Sequence, residues 1–252
     1  MRLLLVILAV VSAACSRVAA TAPTADNPPN ASRASPIRVL MVTATAGFRH
    51  EDAIAAARRV MANLQTTSEI VTTSTEDLST ISASALRDYD VLFFALTSGE
   101  LALTPDQKSA ILDFVSGGKG FIGVHSATDT LYEWPQYGQL VGAYFKEHPW
   151  TQRATVVVED ASHPAASGIG DRFSLMEEFY TFRENPRPHV HVLLRLDPAS
   201  VGADGDFPLA WVQSFGDGRV YYNALGHFPE TWNDAGFQRQ LLGAMRWVAR
   251  RD

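Results

Sequence analysis

The stretch GKGFIGVHSATDT, residues 118–130, sets an imidazole where a nucleophile is usual. In a G-x-S-x-G elbow the nucleophile lies two residues after the first glycine, on a tight strand-to-helix turn that exposes its side chain. Counted from Gly123 that position is His125, while Ser126 comes one residue late and Ala127 replaces the second glycine. A histidine at a strand end suits general acid/base work near neutral pH, metal ligation, or a hydrogen bond to a strand-end carbonyl. A serine hydrolase built on Ser126 is the alternative that keeps the elbow's usual chemistry. Thiol catalysis is excluded, because the sole cysteine, Cys15, lies in the leader segment.

Other reactive residues recur at element ends. His50 stands just before the acidic helix start Glu51–Asp52, where it either acts or caps a loop. His227 follows Gly226 at the end of the strand-like run RVYYNAL, with Phe228 and Trp232 close enough in sequence to offer an apolar wall for a sugar face. His148, in KEHPWTQ with Trp150, fits a sugar-facing platform or ordinary loop packing. In LMEEFYTF, alternation makes Glu178, rather than Glu177, share a face with Tyr180 if the segment is extended. His163, before Pro164, reads as the start of a short helix, and His189 and His191 as the wet side of a strand.

The elements that must position these groups are legible as alternating strands and helices. Ile37–Thr43 is a nearly continuous apolar run, as in a strand buried on both faces. A helix follows from Glu51, then a short strand near Glu69–Thr73, a short helix near Ile81–Arg87 and a strand at Asp90–Leu96. Thr104 as N-cap, Pro105 at the first helical position, Gln107 completing a capping box and Gly117 or Gly118 as the stop mark the next helix. GFIGVH is a further buried strand, so the order predicts an α/β fold with a doubly wound, mostly parallel sheet. Ligands of such sheets bind outside the carboxyl ends of the strands, which gathers the loops holding His50, Ser98 and His125 at one crevice. The second half is less regular, with strands at Arg153–Asp160 and His189–Leu196. A hairpin turns at residues 216–218, and an amphipathic helix runs from Asn233 to Arg250.

Composition bounds the rest. The first 20 residues carry Arg2, an apolar run from Leu3 to Val11 and small residues, the layout of a secretory signal cleaved after Ala14 or Ala20. A lipoprotein signal ending before Cys15 is the alternative. Residues 21–36 are small, polar and proline-rich, a tether that cannot bury enough apolar surface to order itself. Residues 37–252 then form a single domain, periplasmic or secreted, touching a membrane only through a lipid on Cys15. Removal of Arg2 and Arg17 moves the net charge from −6 to −8, which argues against a nucleic-acid partner.

The succession GFRHEDAI, GKGFIGVHSATDT, EHPW, SHPAASGI, LMEEFYTF and GDGRVYYNALGHFPETW, then WV, resembles the trehalose-utilisation, or ThuA-like, family, in order from Ile37 to Val248. The resemblance implies a fold similar to class I glutamine amidotransferases with the cysteine elbow altered. It also implies a link to disaccharide use and to the handling of oxidised (3-keto) sugars. Position by position it marks His50, His125, His148–Pro149, His163, Glu178 with Tyr180, and Gly226–His227.

The resulting expectation is an extracytoplasmic carbohydrate-active enzyme whose His125, Glu178, His227 and His50 converge and move protons. Its small-molecule carbohydrate would be held by His148, Tyr180, Trp150, Trp232 and Phe228. The cofactor is open: His125, Glu178 and His227 also form a suitable set for a divalent metal ion. A sugar-binding module on a degenerate hydrolase fold is the competing reading.

Overall fold

Strand β1 (Ile37–Val42) is apolar on both sides because it lies inside a sheet, and five of its six residues are buried. The computed structural model describes residues 35–67 and 69–251. The expected leader, the tether up to Ala34 and Cys15 lie outside the described residues, and Ser35 onward forms one compact unit. Among the described residues no helix is long and apolar enough to cross a membrane.

From β1 the chain runs through α1 (Glu51–Thr67), β2 (Ile70–Thr75), α2 (Ala83–Leu86), β3 (Val91–Ala95), α3 (Pro105–Ser116), β4 (Gly120–Val124) and α4 (Pro135–Val141). It continues through β5 (Phe145–Val158), β6 (Arg172–Phe182), β7 (His191–Leu196), β8 (Pro208–Phe215), β9 (Gly218–Asn223), α5 (Pro229–Asn233) and α6 (Ala235–Val248). The sheet order is β2-β1-β3-β4-β9-β8-β7-β5-β6. The neighbours from β2 to β9 pair in parallel, and those from β9 to β6 pair antiparallel. The fold is thus the expected α/β class. Helix α3 starts on the expected capping box, Gln107 N–H donating to Thr104 Oγ1 and Thr104 N–H to Gln107 Oε1. The β8–β9 hairpin turns on Gly216 and Asp217, with Gly216 at φ +58°.

Two elements depart from the sequence expectation, and one of them, β7, starts only at His191 and leaves His189 on the preceding turn. Strand β5 begins at Phe145, so His148 lies on a strand rather than in a loop, and β6 is its long antiparallel partner. Pro149 cannot donate to a ladder, and the register shifts between Glu147 and Trp150, where that cost is absorbed.

Three strand-end loops are stitched together at the carboxyl edge. Ser98 O accepts from Ala46 N and Gly47 N, at 2.7 and 3.2 Å, and Ser98 Oγ donates to Phe48 O at 2.6 Å. Gly99 N donates to Asp129 O at 2.8 Å. Gly99 sits at φ +71°, and a Cβ there would stand 2.5 Å from Gly47 N. Gly99→Ala should therefore destabilise by more than the roughly 1–2 kcal/mol of a left-handed backbone alone, read as a lower denaturation midpoint.

Candidate active site

His125 occupies the elbow turn directly after β4, in a left-handed conformation (φ +53°) that a non-glycine residue adopts only when its surroundings impose it. Here Tyr222 Oη donates to the His125 carbonyl at 2.8 Å. The ring is fully buried. Its Nδ1 lies 2.8 Å from Ala224 O, and a carbonyl only accepts, so Nδ1 carries a proton and the lone pair of the neutral tautomer is on Nε2, turned inward. Tyr180 Oη donates to that Nε2 at 2.9 Å.

Around the same atom stand His50 Nε2 at 3.2 Å, His227 Nδ1 at 3.3 Å and Glu178 Oε2 at 3.5 Å. His50 comes from the loop before α1, His227 from the turn after β9, and Glu178 and Tyr180 from β6. Glu178 divides its oxygens: Oε2 lies 3.1 Å from His227 Nδ1, and Oε1 lies 3.2 Å from His148 Nδ1. The structure thus brings His50, His125, Glu178, His227, His148 and Tyr180 together. His125 cannot reach a sugar directly, because none of it is exposed, whereas the His148 side chain is 48% exposed and that of His227 22%. An imidazole expected to act on substrate is instead the floor of the site.

The environments drive these groups apart. Burial, with repulsion from His125 and His227, pushes His50 down to about 3. Burial also opposes the charge on Glu178, but contacts with His125 and His227 outweigh it and hold the carboxyl well below the usual range. For His227 burial lowers the value and Glu178 more than restores it, so the ring holds its proton above the ordinary histidine pKa.

These shifts fix a stability profile for the metal-free chain. Below about pH 6.5 the unfolded His50 takes up a proton that the folded one refuses until about 3, so stability is lost as pH falls through that window. Glu178, depressed, adds a loss below about 4.3. His227, raised, contributes stability below about 6.5 that is lost as pH rises through its folded value. Denaturant midpoints should fall from pH 7 to 4, on the order of a few kcal/mol, and His50→Gln should flatten the slope above pH 4.3.

Sequence reasoning set Glu177 aside, yet it organises the site. Fully buried, it accepts from Gly226 N (2.9 Å) and Thr231 Oγ1 (2.7 Å) on Oε2, and from Glu178 N (2.9 Å) and His227 N (3.1 Å) on Oε1. It aims His227. Two phenylalanines absent from the expected site also flank it. Exposed Phe48 stands edge-on to His50 at 4.7 Å, and Phe145 lies 4.3 Å from Tyr180 and 5.9 Å from His148.

The remaining expected residues divide. Phe228 stands edge-on to His227 at 4.5 Å, as a wall should. Trp232 is wholly buried and donates its indole N–H to Gly226 O at 2.9 Å, so it braces the His227 turn from inside and offers no sugar face. Short helix α5 turns it inward. Trp150 packs edge-on against Phe207 rather than against the cluster's rings. Ser126 Oγ is buried without a hydrogen-bond partner, so no base activates it. His163 accepts from Ala165 N and packs on Trp247, while His191 pairs with Asp160 at the surface. A hollow of about 440 Å³ lined by Tyr144, Arg183, His189 and Gln213 shares no residue with the cluster.

A family model described as ThuA, trehalose utilisation, matches residues 38–248, nearly the whole described unit. The chain belongs to the ThuA family. Among solved structures it is similar to a ThuA-like protein from Bacteroides uniformis, at 26% identity and TM-score 0.75, over 88% of this chain and 95% of that one. It shares its fold with a ThuA-like protein from Parabacteroides merdae, at 17% identity and TM-score 0.71, over 85% and 90% of the two chains. The fold also matches a GMP synthase protein from Thermoplasma acidophilum, at 12% identity and TM-score 0.54, over 85% and 94%. No curated protein matches the chain. This ThuA-family protein is therefore related to trehalose utilisation, on a glutamine amidotransferase-like fold.

Proposed function

We propose that this ThuA-family chain is an extracytoplasmic enzyme acting on disaccharides or their 3-keto forms by proton transfer. The observation that carries the reading is the two-sided engagement of Glu178, one oxygen on half-exposed His148 and the other on His227. In a 3-keto glycoside the C2–H bond is acidified by the neighbouring carbonyl. His148, oriented by Glu178, takes that proton. The electron pair forms a C1=C2 bond as the C1–O bond breaks, and protonated His227 gives its proton to the departing oxygen. Glu178 raises the proton affinity of His227, as the proton donor of this step requires. Phe48, Phe145 and Phe228 supply apolar faces of the kind that stack on sugar rings.

The test is a panel of disaccharides and their 3-keto derivatives. The parent should convert at least one keto-sugar, and His227→Gln should be slower by at least about 100-fold. A parent that binds sugars without converting any, with binding intact in His125→Ala, is a sugar-binding module instead. Fluorophosphonate labelling abolished by Ser126→Ala would point to a serine hydrolase. Cell fractionation, with the mature N-terminus read by mass spectrometry, tests the signal and the lipid on Cys15. A cytoplasmic chain that keeps its first 20 residues would contradict the location.

A further inference from the structure

We infer that His50, His125, His227 and Glu178 hold a divalent transition-metal ion, with zinc the best-matched occupant. The inference rests on reading this cluster as the working centre. One donor atom from each residue lies within 4.8 Å of every other, and four of the separations are 3.1, 3.2, 3.3 and 3.5 Å. Donors about 2.0–2.2 Å from a tetrahedral zinc stand roughly 3.3–3.6 Å from one another, so small adjustments close the shell.

Four donor atoms converge on one point. His125 Nε2 presents a lone pair, fixed by the Nδ1 bond to Ala224 O, and Glu178 Oε2 faces it at 3.5 Å as a second acceptor. Tyr180 Oη serves the first, and a proton on His227 Nδ1, 3.1 Å away, serves the second until a cation displaces it. Buried His50 adds a ring whose Nδ1 has no hydrogen-bond partner. Three donors are also braced from behind, as metal ligands are: His125 by Ala224 O, Glu178 by His148, and His227 by Glu177 through the backbone N–H. Three imidazoles with one carboxylate suit zinc and its neighbours, whereas magnesium and calcium take oxygen ligands. Full burial of His125 disfavours a base and suits a ligand. When bound, the ion would displace the proton on His227 Nδ1 and supply in its place a Lewis acid for the sugar's oxygens.

The full chain, purified without a polyhistidine tag and stripped by a chelator, is titrated with Co²⁺ and Zn²⁺. Bound metal is counted by elemental analysis, and Co²⁺ ligation is followed by visible absorption. About one tightly held equivalent is expected, weakened at least about 100-fold in isosteric Glu178→Gln and in His125→Ala. His191→Ala, at the surface Asp160 pair, and Tyr180→Phe should keep it. Far-UV circular dichroism checks the fold of each variant, and Glu178→Gln carries the test should His125→Ala not fold. Failure to bind either ion, or an equivalent retained in both ligand variants, overturns the inference. Keto-sugar conversion by a protein that binds neither ion would overturn the metal centre and leave the proposed function standing. A metal held by these four residues without sugar conversion would do the reverse.

Discussion

Glu177→Ala is expected to cost about 3–5 kcal/mol of folding stability, although Glu177 touches no substrate in the proposed chemistry. The carboxylate accepts four hydrogen bonds, three of them from backbone N–H groups. Removing the acceptor leaves buried donors at about 1–3 kcal/mol each, partly offset by any water that enters. Glu177→Gln should be little better, because an amide NH₂ would face an N–H or hydroxyl donor. Denaturant midpoints check this, with Thr231→Ala as the reference at about 1 kcal/mol. A cost below about 1 kcal/mol for Glu177→Ala would mean that the turn carrying His227 is held by something else.

Glu178→Gln should lower keto-sugar turnover by roughly 10²–10⁴-fold while changing stability far less. The amide keeps the shape but loses the charge that raises His227 and the oxygen that orients His148. The sign follows: without the carboxylate His227 releases its proton at lower pH, so the alkaline limb of the activity profile moves to lower pH in any residual turnover. A merely structural carboxylate would lower the amount of folded protein without moving that limb. Activity against pH for parent and variant separates the two.

The first half of the fold was legible because β1, β3 and β4 are almost wholly buried and α3 carries an explicit start and stop. Thr104 and Gln107 form the expected box, and His125 stands at the strand end where the elbow spacing put it. Strand β6 was harder to read. Residues 177–180 are all buried, so that stretch lacks the exposed alternation of residues 172–176, and two glutamates in mid-strand look like surface. His148 read as a loop residue because Pro149 follows it, and the register shift that tolerates the proline has no local signature. Trp232 misled by closeness in sequence to His227, since helix direction rather than spacing decides where an indole points. Glu178 could be told from Glu177 by alternation alone, but the four bonds to Glu177 come largely from a turn some fifty residues away, which no local pattern encodes.

The most direct measurement is a crystal structure of Glu178→Gln, slowed but intact, soaked with a 3-keto disaccharide. The sugar should lie against Phe48 and Phe228, its carbonyl toward the imidazoles of His50 and His227 and its C2 within reach of His148. A sugar bound only in the hollow lined by Arg183 and His189, or none at any concentration that parent enzyme turns over, would contradict the assignment of this cluster as the place where the chemistry happens.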